Sequence, residues 1–157
     1  FMIKILFICH GNICRSPMAE FLLKHMVREQ GLQDQFQIAS AATSREEIGN
    51  PVYPPARRKL AELGISTTGK TAVQMTKSDY DKYDYVIVMD ENNMRNALRL
   101  VGRTRTEAAR LHKLLDFADK HGDIADPWYT GDFDTAFSEI EKGCSGFLEH
   151  LKKEGMI

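Results

Sequence analysis

Met2-Ile3-Lys4-Ile5-Leu6-Phe7-Ile8-Cys9-His10-Gly11-Asn12-Ile13-Cys14-Arg15-Ser16-Pro17 passes from an apolar run into a compact polar loop. Met2 to Ile8 has the length and composition of a buried strand. Beyond Pro17, the residues Met18, Phe21, Leu22 and His25 recur at helical spacing. A strand therefore ends, a short loop turns over, and a helix begins. Such a junction gathers several backbone N–H groups around one anion.

The residue types in the loop suit one chemistry. A cysteine acts as a nucleophile in its thiolate form, and a helix N-terminus and a nearby guanidinium both favour that form. Cys9 opens the loop and Arg15 closes it, with five residues between them. Arg15 can grip two oxygens of a tetrahedral dianion while loop amides take the others. Gly11 is expected to let the backbone approach closely and to admit positive φ. Asn12 tolerates the left-handed region, and its amide can tie the loop to its surroundings. Ser16 is either the helix cap or a donor to the Cys9 sulfur. Pro17 suits the first helical turn, where its missing N–H needs no partner. A bare Cys-x5-Arg is a weak signal; the strand before, the helix after and the residues between make it specific.

Outward from the loop, the first helix is expected over Ser16–Gln30, with Gly31 as its stop, and a second strand over Phe36–Ala41. Ser44–Tyr53 reads as a loop, Pro54 and Pro55 open a helix over Ala56–Leu63, and Ile65–Thr71 is polar and indeterminate. Ser78 is expected to cap a short helix before Tyr83. Tyr85–Met89 is a strong central strand, followed by Asp90 and a helix over Glu91–Val101. Thr106–Arg110 suggests a helical turn and Leu111–Leu115 a short fourth strand. A loop over Asp116–Asp132 carries Asp126-Pro127-Trp128-Tyr129. In the last helix, Asp134–Lys152, residues Phe137, Ile140, Cys144, Phe147 and Leu151 mark a buried face. Alternating strands and helices imply an α/β fold: one three-layer domain over 1–157, with a central four-stranded parallel sheet and helices on both faces. Ligands of such folds sit at the carboxyl ends of the strands, where Cys9 and Asp90 both fall.

The composition fits an ordinary single-domain protein of 157 residues, 43% hydrophobic and 27% charged. A net charge of −1 gives no strong field toward nucleic acid or membrane. No signal peptide or membrane-length apolar run is read, and Phe1 before Met2 looks like a cloning scar. The three cysteines, Cys9, Cys14 and Cys144, argue for a reducing compartment and a cytoplasmic protein. No zinc-type spacing is present, and no metal or cofactor is expected.

Asp126 lies in a long loop, where Pro127 biases it toward extended backbone. Trp128 and Tyr129 beside it can wall a flat aromatic group. Locally this is equally an ordinary Asp-Pro turn with two half-buried aromatics.

Cys-x-Gly-Asn-x-Cys-Arg-Ser-Pro near the N-terminus resembles the signature of the low-molecular-weight protein tyrosine phosphatases, and the resemblance runs from Met2 to about Lys152. It implies hydrolysis of phosphotyrosine through a phosphocysteine intermediate. Cys9 would be the nucleophile, Arg15 the phosphate grip and Asp126 the general acid. His10, Gly11, Asn12, Ile13, Cys14, Arg15 and Ser16 would form the phosphate-binding loop, and His10, Glu46, Trp128 and Tyr129 the substrate pocket. Asn12, Ser16, Ser40 and Asp90 would brace the loop, and Cys14 would form a reversible disulfide with Cys9. The implied partner is a phosphotyrosine protein, with a bacterial tyrosine kinase as one candidate, acted on by a monomer or weak homodimer.

Three departures from the family pattern stand out. His10 follows the nucleophile, where small or apolar residues are frequent. It reads either as pocket lining or as a solvated histidine. Lys70 stands where many members have a histidine in the bracing network. Glu46 stands where some place an aromatic wall. Two rivals share the loop. Protein arginine phosphatases resemble the chain but carry Thr at the position of Ile13, whereas Ile offers only apolar surface to a phenyl ring. Thioredoxin-linked arsenate reductases need a further relay cysteine, and none lies between Cys14 and Cys144.

Overall fold

β1 (Ile3–Cys9) lies inside a four-stranded sheet of order β2-β1-β3-β4, with β2 at Phe36–Ala42, β3 at Tyr85–Val88 and β4 at Leu111–Lys113. The computed structural model describes residues 1–157. All three pairings are parallel, with Ile3 opposite Phe36, Ile5 opposite Tyr85 and Val86 opposite Leu111. Parallel neighbours need crossovers, and helices supply them. They are α1 (Arg15–Glu29), α2 (Pro54–Ala61), α3 (Lys77–Lys82) and α4 (Glu91–Val101), followed by the short α5 (Pro127–Thr130) and the long α6 (Phe133–Lys153).

Side-chain alternation along β1 divides the core. Ile3, Ile5, Phe7 and Cys9 face one layer, where they join Met18, Leu22 and Leu23 of α1, Leu60 of α2 and Ile140, Phe147 and Leu151 of α6. Leu6 and Ile8 face the other, with Tyr80 of α3 and Met94, Ala97 and Val101 of α4. The three-layer α/β architecture expected from the sequence is therefore the one observed. The strand order reverses beside β1, and the carboxyl ends of β1 and β3 form the crevice that this topology offers a ligand.

Several boundaries differ from expectation. The short helix after the indeterminate segment is capped by Thr76, not Ser78. The Thr76 hydroxyl accepts from the Asp79 N–H at 3.3 Å while the Asp79 carboxylate accepts from the Thr76 N–H at 2.7 Å. Ser78 with Asp81 fits the same pattern, but α3 starts two residues earlier and buries Tyr80. No helix forms over Thr106–Arg110. There the Thr104 hydroxyl and N–H both donate to Glu107, an arrangement that competes with helix. Residues 65–75, unassigned from sequence, fold back on the site. Gln74 bridges to Ala42, and Thr71 to Pro51. β4 ends at Lys113, and Leu114–Phe117 is a 3₁₀ turn rather than strand.

That turn explains two glycines in the middle of α6, where glycine is costly. A Cβ at Gly143 would strike the Leu114 side chain, and one at Gly146 would strike the Phe117 backbone carbonyl. The helix accepts weak formers there so that the chain leading to Asp126 can pack flush against it.

Candidate active site

Cys9 ends β1 and is buried at the head of the loop. Its sulfur meets the Asn12 N–H at 3.3 Å and the Ser16 hydroxyl at 3.0 Å. Asn12 has φ 61°, the one non-glycine residue of the chain in the left-handed region. Gly11 does not adopt positive φ, contrary to expectation; a Cβ there would press on the Glu47 side chain at 3.3 Å from its Cγ. Nor is Ser16 a cap. The N-cap position is Cys14, which makes no side-chain cap bond, and Ser16 sits inside α1 with its hydroxyl turned to Cys9.

The direction of that last hydrogen bond follows from a buried chain of donors. Glu20 is buried, and a carboxylate can only accept, so the Ser40 hydroxyl donates to its Oε1 at 2.6 Å. The Ser40 oxygen then accepts from Asn12 Nδ2 at 2.9 Å. Asn12 Oδ1 accepts from the Val73 N–H at 3.2 Å, which fixes the amide, and its second Nδ2 hydrogen goes to Ser16 Oγ at 2.8 Å. The Ser16 hydroxyl proton is left for the Cys9 sulfur. Lys24 at 2.6 Å and Lys70 at 3.6 Å supply countercharge to Glu20. Lys70 also donates to the Ser40 carbonyl at 2.8 Å, and burial, partly offset by Glu20, lowers its pKa. Glu20 was not legible in the sequence. Glu20 and Lys24 at i and i+4 read as an exposed helix pair.

Arg15 is 2% exposed, and a buried guanidinium demands partners. Its Nη1 donates to Asp90 Oδ2 and to the Ile124 carbonyl, each at 2.7 Å. Its Nη2 lies 3.3 Å from Asp126 Oδ2. Burial would lower the Arg15 pKa, but the negative charges of Cys9, Asp126 and Asp90 outweigh it, so the net shift is upward. Asp90 follows β3 and caps α4, taking the Asn93 N–H on its other oxygen at 2.7 Å. Ile124 is the second residue that sequence reasoning missed. Its N–H donates to the Met89 carbonyl at 2.9 Å, pinning the Asp126 loop to the end of β3.

A cavity of about 100 Å³ opens above Cys9. Its floor is Cys9, Arg15 and the loop, and Ile13 and Cys14 line it too. Trp128 and Tyr129 enter from α5, and Glu46 and Glu47 from the loop after β2. Trp128 leans on Tyr53 with ring centroids 4.8 Å apart, and Asp126 caps α5 by accepting from the Trp128 N–H at 3.0 Å. His10 lines the cavity, with Nε2 2.9 Å from Glu46 Oε2. Burial, then the charge on Cys9, raises the Cys14 thiol pKa. A larger open groove between α1, α6 and the Leu114–Phe117 turn contains none of the loop residues, so the chemistry belongs to the smaller cavity.

A buried sulfur met by the Asn12 N–H and the Ser16 hydroxyl, beside a buried guanidinium and a carboxyl group in the cavity lining, defines a cysteine-dependent phosphomonoesterase on a three-layer α/β fold. Residues 4–156 match the family described as low molecular weight phosphotyrosine protein phosphatase, and the chain belongs to that family. It is 36% identical over 158 residues to the low-molecular-weight protein-tyrosine-phosphatase YfkJ of Bacillus subtilis, covering 99% of this chain and 100% of that one. The YfkJ crystal structure superposes with a TM-score of 0.93 over 98% of this chain and 97% of the other. The human low-molecular-weight phosphotyrosine protein phosphatase is 36% identical over 149 residues, covering 93% and 94% of the two chains. A fruit-fly arginine phosphatase structure gives a TM-score of 0.85 at 29% identity, covering 96% and 98%. The chain is thus a protein tyrosine phosphatase, a hydrolase whose family works through a phosphocysteine intermediate formed on the loop cysteine, here Cys9.

Proposed function

We propose that Arg15 and Asp126 complete the machinery around Cys9. The observation that carries this is Asp126 Oδ2 standing 3.3 Å from Arg15 Nη2 in the lining of the Cys9 cavity. An incoming phosphate displaces Asp126 from the guanidinium, and the freed carboxylate takes up a proton from solvent and turns toward the leaving oxygen. The Cys9 thiolate then attacks phosphorus, and the P–O bond to the phenol breaks as Asp126 gives that oxygen its proton. The phosphoryl oxygens stay on Arg15 and the loop amides. Water next attacks the phosphocysteine, Asp126 takes the water's proton, and the P–S bond breaks to release phosphate and the thiolate. The Ser16 hydroxyl, oriented through Asn12, Ser40 and Glu20, stabilises sulfur as leaving group in that second step.

Ile13 supports tyrosine over arginine as the substrate side chain. It lies in the cavity lining beside Cys14 and packs with Tyr53 and Ala72, presenting no polar atom to a guanidinium. His10, Trp128 and Tyr129 line the entrance for the phenyl ring. Cys14, a free thiol within the loop, is the partner for reversible oxidation of Cys9. The substrate we infer is a phosphotyrosine protein, a bacterial tyrosine kinase being one candidate, met in the cytoplasm by a monomer or weak homodimer. The test is kcat/KM on matched phosphotyrosine and phosphoarginine peptides. The phosphotyrosine peptide is expected to win by more than about 10², with Ile13→Thr narrowing the gap. A wild-type preference for phosphoarginine overturns the reading.

A further inference from the structure

We propose that Glu46 and Glu47 make the enzyme selective for phosphotyrosine flanked by basic residues, an inference that rests on the phosphotyrosine reading above. Both carboxylates line the cavity over Cys9. Glu46 is 70% exposed at its side chain, and its one partner is the His10 imidazole at 2.9 Å, which carries no permanent charge. Glu47 meets the Asn50 amide, a neutral donor, so its charge is uncancelled. Arg15 is the one permanent cation in the lining, and it is buried and already faced by Asp90 and Asp126. Arg45 precedes the two glutamates but does not line the cavity.

The two charges are also held in place. The Ser44 N–H and hydroxyl donate to the His10 carbonyl at 3.0 and 2.9 Å, tying this turn to the phosphate loop. The Glu47 stem packs over Gly11, where a Cβ would press on it at 3.3 Å. The site therefore separates two electrostatic tasks. The phosphate is met by a buried guanidinium and backbone amides at the floor. The chain carrying it crosses two carboxylates at the entrance. Like charges placed there repel acidic neighbours of the phosphotyrosine and attract Lys or Arg, a discrimination between partners rather than a change in chemistry.

The experiment compares kcat/KM at low salt for two phosphotyrosine peptides that differ only in carrying Lys or Glu on both sides of the phosphotyrosine. Wild type is expected to favour the Lys peptide by about tenfold, with the ratio shrinking as salt is added. Glu46→Gln with Glu47→Gln should bring the ratio close to one, and the double Lys variant should invert it. Because both peptides are read in the same sample, a loss of folded or active enzyme cancels. Equal or acidic-favoured rates in wild type, or a ratio unmoved in the double Gln variant, overturn the proposal and leave the phosphatase standing. Failure to hydrolyse either peptide strikes the tyrosine reading itself.

Discussion

The phosphate loop and the loop that carries Asp126 reach the same cavity by opposite means. The first is short and is held from inside by buried hydrogen bonds that run from Glu20 through Ser40, Asn12 and Ser16 to Cys9. The second is anchored at the buried Ile124, bonded to Met89 and Arg15, and at the buried Pro127, with Trp128 leaning on Tyr53 and Asp126 facing Arg15. Ahead of these its ties are ion pairs nearer the surface: Lys113 with Asp123 at 2.9 Å and with Glu91 at 3.0 Å, and Glu91 with Arg105 at 2.8 Å. Buried networks rigidify a site, whereas partly exposed pairs contribute little and yield to salt. The nucleophile is thus fixed, while Asp126, the proton donor we propose, sits where modest motion is cheap, as a group that is to face Arg15 and then a leaving oxygen requires.

The largest effect should come from the proton donor. Asp126→Asn is expected to cut kcat on phenyl phosphate by about 10²–10³. The loss should be smaller on p-nitrophenyl phosphate, whose leaving group has less need of a proton. Equal losses on both esters remove Asp126 from that role. The loop's support comes next. Gly146→Ala forces a methyl into the Phe117 carbonyl and should cost about 3 kcal/mol, read as a lower urea midpoint. An unchanged midpoint would mean that the Leu114–Phe117 turn gives way freely.

Beneath the phosphate loop, Glu20→Met removes the acceptor that orders the donor chain. The expected result is roughly a tenfold fall in kcat/KM, with the ascending limb of the pH profile moved to higher pH. Since Glu20 does not itself line the pocket, a uniform loss at every pH would show a merely structural role. The smallest effect belongs to the surface pairs. Hydrogen bonds from Arg105 and then Lys113 hold the Glu91 pKa down at about 2. A carboxyl group whose folded value lies below its unfolded one stabilises the fold above about pH 4.5 and loses that contribution as the pH falls toward 2. Glu91→Gln should therefore cost less than about 1 kcal/mol at pH 7 and flatten the acid side of the stability curve between those limits. A variant with the wild-type slope there would show that Glu91 is not linked to folding.

The phosphate loop could be read from residues because its physics is local. A strand end, a left-handed Asn12, a guanidinium six positions after a thiol and a helix start are all settled within nine residues, and hydrophobic spacing places the sheet and helices around them. The positive φ expected of Gly11 falls instead on Asn12, and the side chain a Cβ at Gly11 would press on is Glu47, distant in sequence. What closes over long separations was left to the tertiary structure. Glu20 looks like a surface residue until Ser40 arrives on the neighbouring strand, and Ile124 looks like loop filler until β3 and Arg15 bracket its peptide. Asp126 is locally open to being an ordinary Asp-Pro turn and is named an acid through the family signature; the fold sets it 3.3 Å from Arg15. Local backbone preferences and apolar periodicity are carried by neighbours in the chain. Desolvation and charge pairing depend on which groups packing brings together, and here the order of the strands decides that.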